Sequence, residues 1–183
     1  MAPLRPAVAS VAASVAAAAL LLGAGGARAA PSPAWETIGC HENARIAEPI
    51  RVDRRSYRVL WGKVALPSRA FVHQPVRSDE PGGYPHWAKL GLLLAVGSGP
   101  VEVRVPPAWR KRAIIGWGYP NLHDPADRLR FEGCPRPRTG KPRSRWIAYP
   151  GGVSVSAPAC VPLIVSAGGR TARVELAIGR RCR

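Results

Sequence analysis

The sequence predicts an all-β domain, and three observations support this expectation. Short runs rich in Val, Ile, Leu, Trp and Tyr recur throughout the chain after the amino-terminal segment. Twenty prolines and nineteen glycines interrupt these runs, and no convincing amphipathic helix is found between them. Short, regularly spaced strands with turn residues between them are typical of two packed antiparallel sheets. We therefore expect an antiparallel β-sandwich of immunoglobulin-like type, stabilised by two disulfides and preceded by a cleaved signal peptide.

Residues 1–29 have the pattern of an export signal. Arg5 supplies a positive charge, residues 7–26 carry none, and small residues precede the cleavage site at the end of the segment. Cleavage after Ala30 is an alternative, and so is an uncleaved anchor, although alanine-rich segments insert weakly into membranes. We expect a single domain at 30–183 that is secreted or otherwise extracytoplasmic. No later apolar run is long enough to cross a bilayer, so we expect no transmembrane segment in the mature chain.

The expected strands are short and are bounded by turn residues. They cover residues 57–66, 89–96, 101–105, 113–117, 129–132, 146–149, 153–156, 161–166 and 172–178. We expect two hairpins, at 90–105 and 161–178, because apolar and charged residues alternate along the second arm of each. Long loops are expected near 67–88 and 133–145. Pro162 restricts its strand to an edge position or a bulge, since proline cannot donate to a sheet.

The cysteine pattern favours disulfides over a metal site. The chain has four cysteines, Cys40, Cys134, Cys160 and Cys182. An even count in an exported chain indicates two disulfides, and three pairings are open. We prefer Cys40–Cys134 with Cys160–Cys182. The closely spaced cysteine pairs of zinc sites are absent from the sequence, so we expect no metal and no cofactor.

The second half of the chain also resembles a group of exported actinobacterial proteins that have no assigned activity. The resemblance covers roughly residues 88–183. Its motifs are KLGLLL at 89–94, VRVPPAWR at 103–110, IGWG at 115–118, FEGCP at 131–135, WIAYPGG at 146–152, PACVPL at 158–163 and AIGRRC at 177–182. The resemblance implies an export signal, a β-rich domain and disulfides, and it implies no activity.

The charge of the chain is strongly positive. Twenty-seven Lys and Arg residues against eleven Asp and Glu give a formal net charge of +16. Such a field attracts polyanions, although arginine-rich composition can also reflect GC-rich codons. The basic residues are densest in one segment, which holds Arg136, Arg138, Lys141, Arg143 and Arg145 and is followed by Trp146. We consider three interpretations: a solvated loop, an anion-binding loop for an envelope polymer, and a nucleic-acid contact. Export makes nucleic acid unlikely as a partner, so the first two stand, with another envelope protein as an alternative partner.

The six tryptophans could stack on sugars or fill the core. Trp61, Trp117 and Trp146 fall in expected strands, so we expect them in the core, and Trp87 is the best candidate for an exposed ring. Two acids, Glu102 and Glu175, alternate with arginines and are expected to pair with them across strands.

No catalytic or metal-binding motif has the required spacing. The four histidines, none of them paired at metal-ligand spacing, are His41, His73, His86 and His123. His123, with Asp124 and Asp127, could serve acid–base chemistry or a turn before proline. Ser98 lies between glycines but lacks the spacing of a nucleophile elbow. We expect a binding or structural domain without catalytic activity; the alternative is a secreted hydrolase with an unrecognised site near residues 67–88.

Overall fold

A computed structural model of the chain describes residues 35–44, 49–68, 74–75, 84–118, 126–135 and 144–182. All of them belong to one compact unit. They form thirteen β-strands and two short 3₁₀ turns, and no α-helix occurs among them. The all-β prediction is therefore confirmed. The expected signal peptide lies outside the described residues, and so do residues 69–73 and 76–83 of the expected 67–88 loop; the described part of that range contains one short strand, the end of another and the start of a third.

The strands are short except for the last two. They are β1 (Glu36–Ile38), β2 (Tyr57–Leu60), β3 (Val64–Pro67), β4 (Gln74–Pro75), β5 (His86–Lys89), β6 (Leu92–Ala95), β7 (Val101–Arg104), β8 (Ala113–Trp117), β9 (Arg128–Phe131), β10 (Trp146–Tyr149), β11 (Gly151–Val155), β12 (Ala159–Ala167) and β13 (Arg170–Ile178). The 3₁₀ turns are Cys40–Glu42 and Pro107–Trp109.

The strands pair into three sheets around one core. A five-stranded sheet has the order β1-β9-β7-β12-β13, and two four-stranded sheets have the orders β10-β6-β3-β2 and β4-β5-β11-β8. All pairs are antiparallel except β1 with β9. One cluster of buried apolar side chains contains members from all three sheets. The alternation expected for β7 and β13 is confirmed, because their valines point into this core while their charged residues point outward.

Two strand pairs continue from one four-stranded sheet into the other. β5 leads into β6 through Leu90 and Gly91, and β10 leads into β11 through Pro150. At the bend, the Leu90 N–H donates to the Gly151 carbonyl oxygen at 2.8 Å. The indole Nε1–H of Trp117 donates to the Leu90 carbonyl oxygen at 2.7 Å. Because both backbone groups of Leu90 are satisfied, the strand changes sheet without leaving a buried polar group unpaired.

Three expected elements differ from the structure. The strand expected at 89–96 is divided at Leu90 and Gly91 between β5 and β6, which belong to different sheets. The run at 57–66 is a hairpin, β2–β3, because Trp61 and Gly62 have φ of 51° and 65° and reverse the chain. Positive φ at both central residues is the geometry of a type I′ turn, and the Lys63 N–H closes it on the Leu60 carbonyl oxygen at 2.9 Å. The hairpin expected at 90–105 is wrong. β6 and β7 belong to different sheets, and the turn between them carries the chain across the core.

The β12–β13 hairpin is confirmed. Ala167 pairs with Arg170, and the two-residue turn between them consists of Gly168 and Gly169 at φ of 56° and 72°. β12 lies between β7 and β13, but its ladder with β7 covers only Ile164–Ala167. Pro162 lies outside that ladder, so its missing N–H costs the sheet nothing.

A second, smaller cluster covers the outer face of the sheet that contains β6. Its buried members are Ala65, Leu93, Ala95, Trp146 and Ala148, and Ile50 and Val52 pack against them. The sheet is thus buried on both faces, which explains why β3 and β6 are continuous apolar runs rather than alternating ones.

Both preferred disulfides are confirmed. Cys40 and Cys134 are linked with their Cα atoms 5.0 Å apart, and Cys160 and Cys182 with theirs 5.6 Å apart. The first ties the chain just after β1 to the chain just after β9, and these two strands are neighbours in parallel. The second ties the end of the chain back to β12.

Candidate anion-binding surface

The structure describes two of the six residues predicted to bind anions. Arg136, Arg138, Lys141 and Arg143 lie outside the described residues. Arg145 is exposed, as the prediction requires. Trp146 exposes only 8% of its surface because it belongs to the second apolar cluster. The Arg145 guanidinium carbon lies 5.8 Å from the centroid of the Trp146 ring. Trp146 therefore packs beneath the Arg145 side chain, and its ring is not exposed for stacking on a ligand.

Both ends of the basic segment are fixed beside the β6–β7 turn. Cys134 is held by its disulfide, and its carbonyl oxygen accepts the Gly97 N–H at 2.7 Å. At the other end, the Arg145 carbonyl oxygen accepts the Val96 N–H at 2.9 Å. The two described ends of the segment are thus bonded to neighbouring residues of one turn, Val96 and Gly97. Loops that are held at both ends by a rigid scaffold commonly carry binding residues.

Lys63 joins this end of the molecule, and the sequence did not predict its involvement. Its carbonyl oxygen accepts the Ala95 N–H at 2.8 Å, one residue before the bond that anchors Arg145. Arg145 extends over the same β2–β3 turn, where its Nη2 lies 3.3 Å from the point that a Cβ on Gly62 would occupy. Lys63 and Arg145 therefore flank the end of β6. The Trp61-Gly62 pair, a turn signal inside an apolar run, is the feature that could have indicated this placement.

A second basic feature lies on the outer face of the five-stranded sheet. In the strand register, Arg104 on β7 lies opposite Arg128 on β9 and, on its other side, opposite Ile164 on β12. Ile164 in turn lies opposite Arg173 on β13. We call Arg128, Arg104 and Arg173 the arginine row. Neighbouring strands are about 4.8 Å apart, so the row spans four strands and roughly 14 Å.

Arg104 and Arg128 are like-charged residues that lie directly opposite each other on neighbouring strands. The Val105 N–H donates to the Asp127 carbonyl oxygen at 2.8 Å, so the next pair along the ladder, Arg104 with Arg128, is of the non-hydrogen-bonded kind. Side chains approach most closely in such pairs, and like charges directly opposite each other are unfavourable. In the described part of the chain, Arg104 has no ion-pair partner.

The Asp127 carboxylate partly neutralises the positive charge at the Arg128 end of the arginine row. Asp127 forms an ion pair with Arg110, and its Oδ1 lies 3.5 Å from Nε of Arg128. The Asp127 side chain is 18% exposed and that of Arg128 is 12% exposed. Arg128 also lies over the Trp35 ring, with 5.4 Å between the guanidinium carbon and the centroid. Two guanidinium groups share one acid, so the cluster keeps a net positive charge beside Arg104.

Tyr84 borders the same cluster. Its hydroxyl donates to the Arg110 carbonyl oxygen at 2.6 Å. Burial, and after it the Asp127 carboxylate, raises the pKa of Tyr84 above its ordinary value. The tyrosine thus keeps its proton at neutral pH and holds the backbone of Arg110 in place.

The next row of the sheet is closer to neutral. Arg130 lies opposite Glu102 and forms an ion pair with it at 3.8 Å, as the sequence predicts for Glu102. The same prediction is wrong for Glu175, which lies opposite Pro162 rather than an arginine. Among the described residues, the arginine row is therefore less compensated than the row that contains Glu102 and Arg130.

The described residues show no arrangement that supports a catalytic or metal-binding site. Ser98 lies in the β6–β7 turn, where its hydroxyl contacts the neighbouring Gly99 carbonyl oxygen at 3.2 Å. His41 is exposed in the first 3₁₀ turn and His86 lies in β5. His73, His123 and Asp124 lie outside the described ranges. Within those ranges, no three His, Cys, Asp or Glu side chains are grouped so that they could hold a metal ion.

Trp87 is half-buried in β5 rather than fully exposed. Its Nε1 lies 2.9 Å from the point that a Cβ on Gly152 would occupy, so the indole covers the glycine of the neighbouring strand. This contact accounts for the ring as part of the sheet surface. Trp117 and Trp146 are buried as expected, whereas Trp61 lies in a turn with its ring against the core.

Comparison with known proteins identifies no family and no function for this chain. No model of a known protein family matches the chain. No curated protein matches its sequence. No helix within the described ranges has the length and apolar character needed to span a membrane.

Proposed function

We propose that this protein is an exported, extracytoplasmic binding domain that captures an anionic polymer of the cell envelope. The observation that carries the proposal is the direct cross-strand pairing of Arg104 with Arg128 on the outer face of the five-stranded sheet, where the one nearby carboxylate, that of Asp127, is shared between Arg128 and Arg110. A bound anion would relieve this repulsion. The two disulfides suit an oxidising compartment outside the cytoplasm.

The shape of the surface favours a polymer over a small anion. The arginine row crosses four strands of one sheet, so a ligand must be extended to reach all of it. Arg130 follows Arg128 along the outer face of β9, and β9 leads directly toward the basic segment through Pro135. A chain of regularly spaced phosphates or carboxylates could thus contact the sheet and the segment together. Teichoic-acid-like phosphate polymers, acidic glycans and anionic lipid surfaces share this chemistry.

The binding energy would come from charge neutralisation. Guanidinium groups form bidentate hydrogen bonds with phosphate and carboxylate groups, and the release of counterions makes the affinity depend on salt. We expect affinity to fall steeply between low and physiological salt. The absence of catalytic activity remains a prediction.

The test measures binding of the mature, oxidised domain to poly(glycerol phosphate), with a neutral dextran of similar length as the reference polymer. We expect binding only to the anionic polymer. The double variant Arg104→Gln/Arg173→Gln should weaken it at least about tenfold, since two charge-assisted contacts are lost. Replacing Arg136, Arg138 and Arg143 by serine should weaken it similarly.

The control is Arg58→Gln, an exposed arginine on β2, which belongs to another sheet. This substitution should change the affinity by less than about twofold, apart from the general effect of one lost charge. Salt-insensitive binding, or equal losses in Arg58→Gln and Arg104→Gln, would contradict the proposal.

A further inference from the structure

β13 forms one edge of the five-stranded sheet. It is nine residues long and pairs with β12 along its whole length, Arg170 to Ile178. Among the described residues, no strand pairs with its other side. β13 contains neither proline nor glycine, and its register with β12 is continuous, without a bulge. Edge strands of this kind can add a further strand unless they are interrupted or covered.

The ladder of the sheet defines which backbone groups face this free edge. The Val105 N–H bonds to Asp127 on the β9 side, so the backbone groups of Val101 and Val103 also face β9. Backbone groups alternate along a strand, so those of Glu102 and Arg104 face β12.

The same alternation carries across β12. Ile164 and Ser166, which pair with Arg104 and Glu102, direct their backbone groups toward β7, so the intervening residues direct theirs toward β13. Pro162 lies two residues before Ile164, so its backbone also faces the β7 side. Pairing with β13 therefore does not need the N–H that proline lacks. On β13 the residues with backbone groups directed toward the free edge are therefore Thr171, Arg173, Glu175 and Ala177.

The charges on β13 are exposed and uncompensated. Arg173 and Glu175 point outward on the same face of the sheet, two residues apart. In the described part of the chain, neither forms an ion pair. Across the β12 ladder they face Ile164 and Pro162, which offer no charge.

We propose that two copies of this protein pair through β13, antiparallel and about a two-fold axis at Val174. Val174 is the middle residue of the strand, so this register overlaps all nine residues. It places Arg173 opposite Glu175 of the partner subunit, and Glu175 opposite the partner subunit's Arg173. All four edge-facing residues then meet edge-facing residues, which gives about eight backbone hydrogen bonds. The two five-stranded sheets become one continuous sheet of ten strands.

The charges select this register over its neighbours. Moving the axis to Arg173 places that arginine opposite the partner subunit's Arg173, and moving it to Glu175 places two glutamates opposite each other. If the axis lies between two residues, each residue whose backbone faces the free edge lies opposite a residue whose backbone groups are already bonded to β12. Opposite charges across a strand pair stabilise the pairing and like charges oppose it. The centred register alone combines full overlap, complete hydrogen bonding and unlike charges.

The proposal does not rest on the proposed function, although Arg173 takes part in both: it ends the arginine row, and it lies opposite the partner subunit's Glu175. The axis is perpendicular to the sheet, so the outer faces of both copies lie on the same side. Two arginine rows would then lie on one surface, where a long polymer could contact both.

The first test measures the mass of the mature, oxidised domain by sedimentation over micromolar to submillimolar concentrations at physiological salt. We expect a monomer–dimer equilibrium. Arg173→Glu and Glu175→Arg should each raise the dimer dissociation constant about tenfold or more, because each places two like-charged pairs across the axis. The double variant Arg173→Glu/Glu175→Arg should restore the wild-type value. Arg58→Glu, a matched charge reversal on β2, should leave the dimer intact.

The second test uses the unmodified protein, so it does not depend on the folding of any variant. Amide hydrogen exchange should be slow at Ala172, Val174 and Leu176 at every concentration, since these amides bond to β12. Exchange at Arg173 and Glu175 should slow only as the dimer forms. A protein that stays monomeric, a dimer indifferent to the charge reversals, or edge amides that exchange equally fast in the dimer would each overturn the proposal.

Discussion

The indole N–H of Trp117 and the carbonyl oxygen of Leu90 form a 2.7 Å hydrogen bond at the point where β5 becomes β6. Trp117 is fully buried, and Leu90 is nearly so. The bond lies between the two four-stranded sheets and satisfies a backbone carbonyl that no strand partner reaches. A single side chain thus makes the bend compatible with a dry core.

We expect Trp117→Phe to lower the free energy of unfolding by about 2 to 4 kcal/mol, because it leaves the Leu90 carbonyl unpaired and opens a cavity. Denaturant unfolding of the oxidised domain measures this loss. Trp109→Phe is the matched control, since Trp109 is only partly buried at the edge of the core. A loss no larger than that of Trp109→Phe would show that the bond is dispensable.

Gly151 should tolerate no side chain. Its φ is 146°, and a Cβ at this position would collide with the Gly116 carbonyl oxygen on β8. Gly169→Ala is the control, because Gly169 also has positive φ, 72°, but has open space around it. We expect about 1 kcal/mol of destabilisation for Gly169→Ala and at least about 3 kcal/mol for Gly151→Ala, measured by thermal or denaturant unfolding. Equal losses would mean that backbone conformation, and not the close approach of β8, decides the residue.

The two disulfides should contribute unequally to stability. Cys40–Cys134 closes a separation of 94 residues and Cys160–Cys182 one of 22. A disulfide stabilises a protein by reducing the entropy of the unfolded chain. On this basis the disulfide that closes the longer loop should add about 4 to 5 kcal/mol to the free energy of unfolding, and the other about 3 kcal/mol. We therefore expect the Cys40→Ala/Cys134→Ala variant to be less stable than Cys160→Ala/Cys182→Ala. The opposite order, in denaturant unfolding without reductant, would contradict the expectation.

Tyr149 should make the fold sensitive to alkali. Burial, followed by the Glu42 and Glu132 carboxylates, raises the pKa of Tyr149 to about 12 from an ordinary 10.0. Between these values the native hydroxyl keeps a proton that the unfolded chain has lost, so the stabilising contribution is complete below pH 10 and disappears as the pH rises through 12. The loss is about 2 to 3 kcal/mol.

The measurement is the free energy of unfolding between pH 9 and 12, together with the tyrosinate absorbance of the native protein. Tyr149→Phe should flatten the alkaline slope while keeping the edge-on contact with Phe131, whose ring centroid lies 4.9 Å away. An unchanged slope in Tyr149→Phe would assign the alkaline sensitivity to other groups.

Asp127→Asn should separate stability from binding. It leaves Arg110 and Arg128 without their shared acid, so we expect a loss of about 1 to 3 kcal/mol in the free energy of unfolding. It also makes the arginine row more positive, so binding to poly(glycerol phosphate) should tighten. The pKa of Tyr84 should fall toward its ordinary value.

Glu102→Gln is the control for this prediction, because it raises the net charge equally but removes only the exposed pair with Arg130. We expect less than about 1 kcal/mol of destabilisation from it. If both variants changed stability and affinity alike, the proposed importance of the Asp127 cluster would be wrong.

The sequence was sufficient where local signals decide the structure. The alternation of valines with charged residues in β7 and β13 identified their inner faces, and the Gly168-Gly169 pair identified the last turn. The disulfide preference was also correct. The strand faces and the turn depend on neighbours in the chain, which periodicity and turn chemistry describe directly, whereas the disulfide preference was a choice among three pairings that the sequence left open.

The sequence was insufficient where distant strands decide the structure. The five residues between β6 and β7, 96–100, are compatible with either a hairpin or a crossing between sheets, and only the pairing of β6 with β3 and β10 distinguishes them. Trp146 is buried in an apolar cluster against which Ile50 and Val52 pack, and these two residues come nearly a hundred positions earlier in the chain. The arginine row depends on the order β9-β7-β12-β13, in which only one pair is consecutive. Local patterns carry no information about such an order.

The continuation of β5 into β6 and of β10 into β11 links the fates of the two four-stranded sheets. Because the same two segments of backbone run through both sheets, we expect the loss of hydrogen bonds in one sheet to destabilise the other. Ligand capture on such a framework would proceed without hinge motion between these sheets, and unfolding would abolish them together, as one cooperative event.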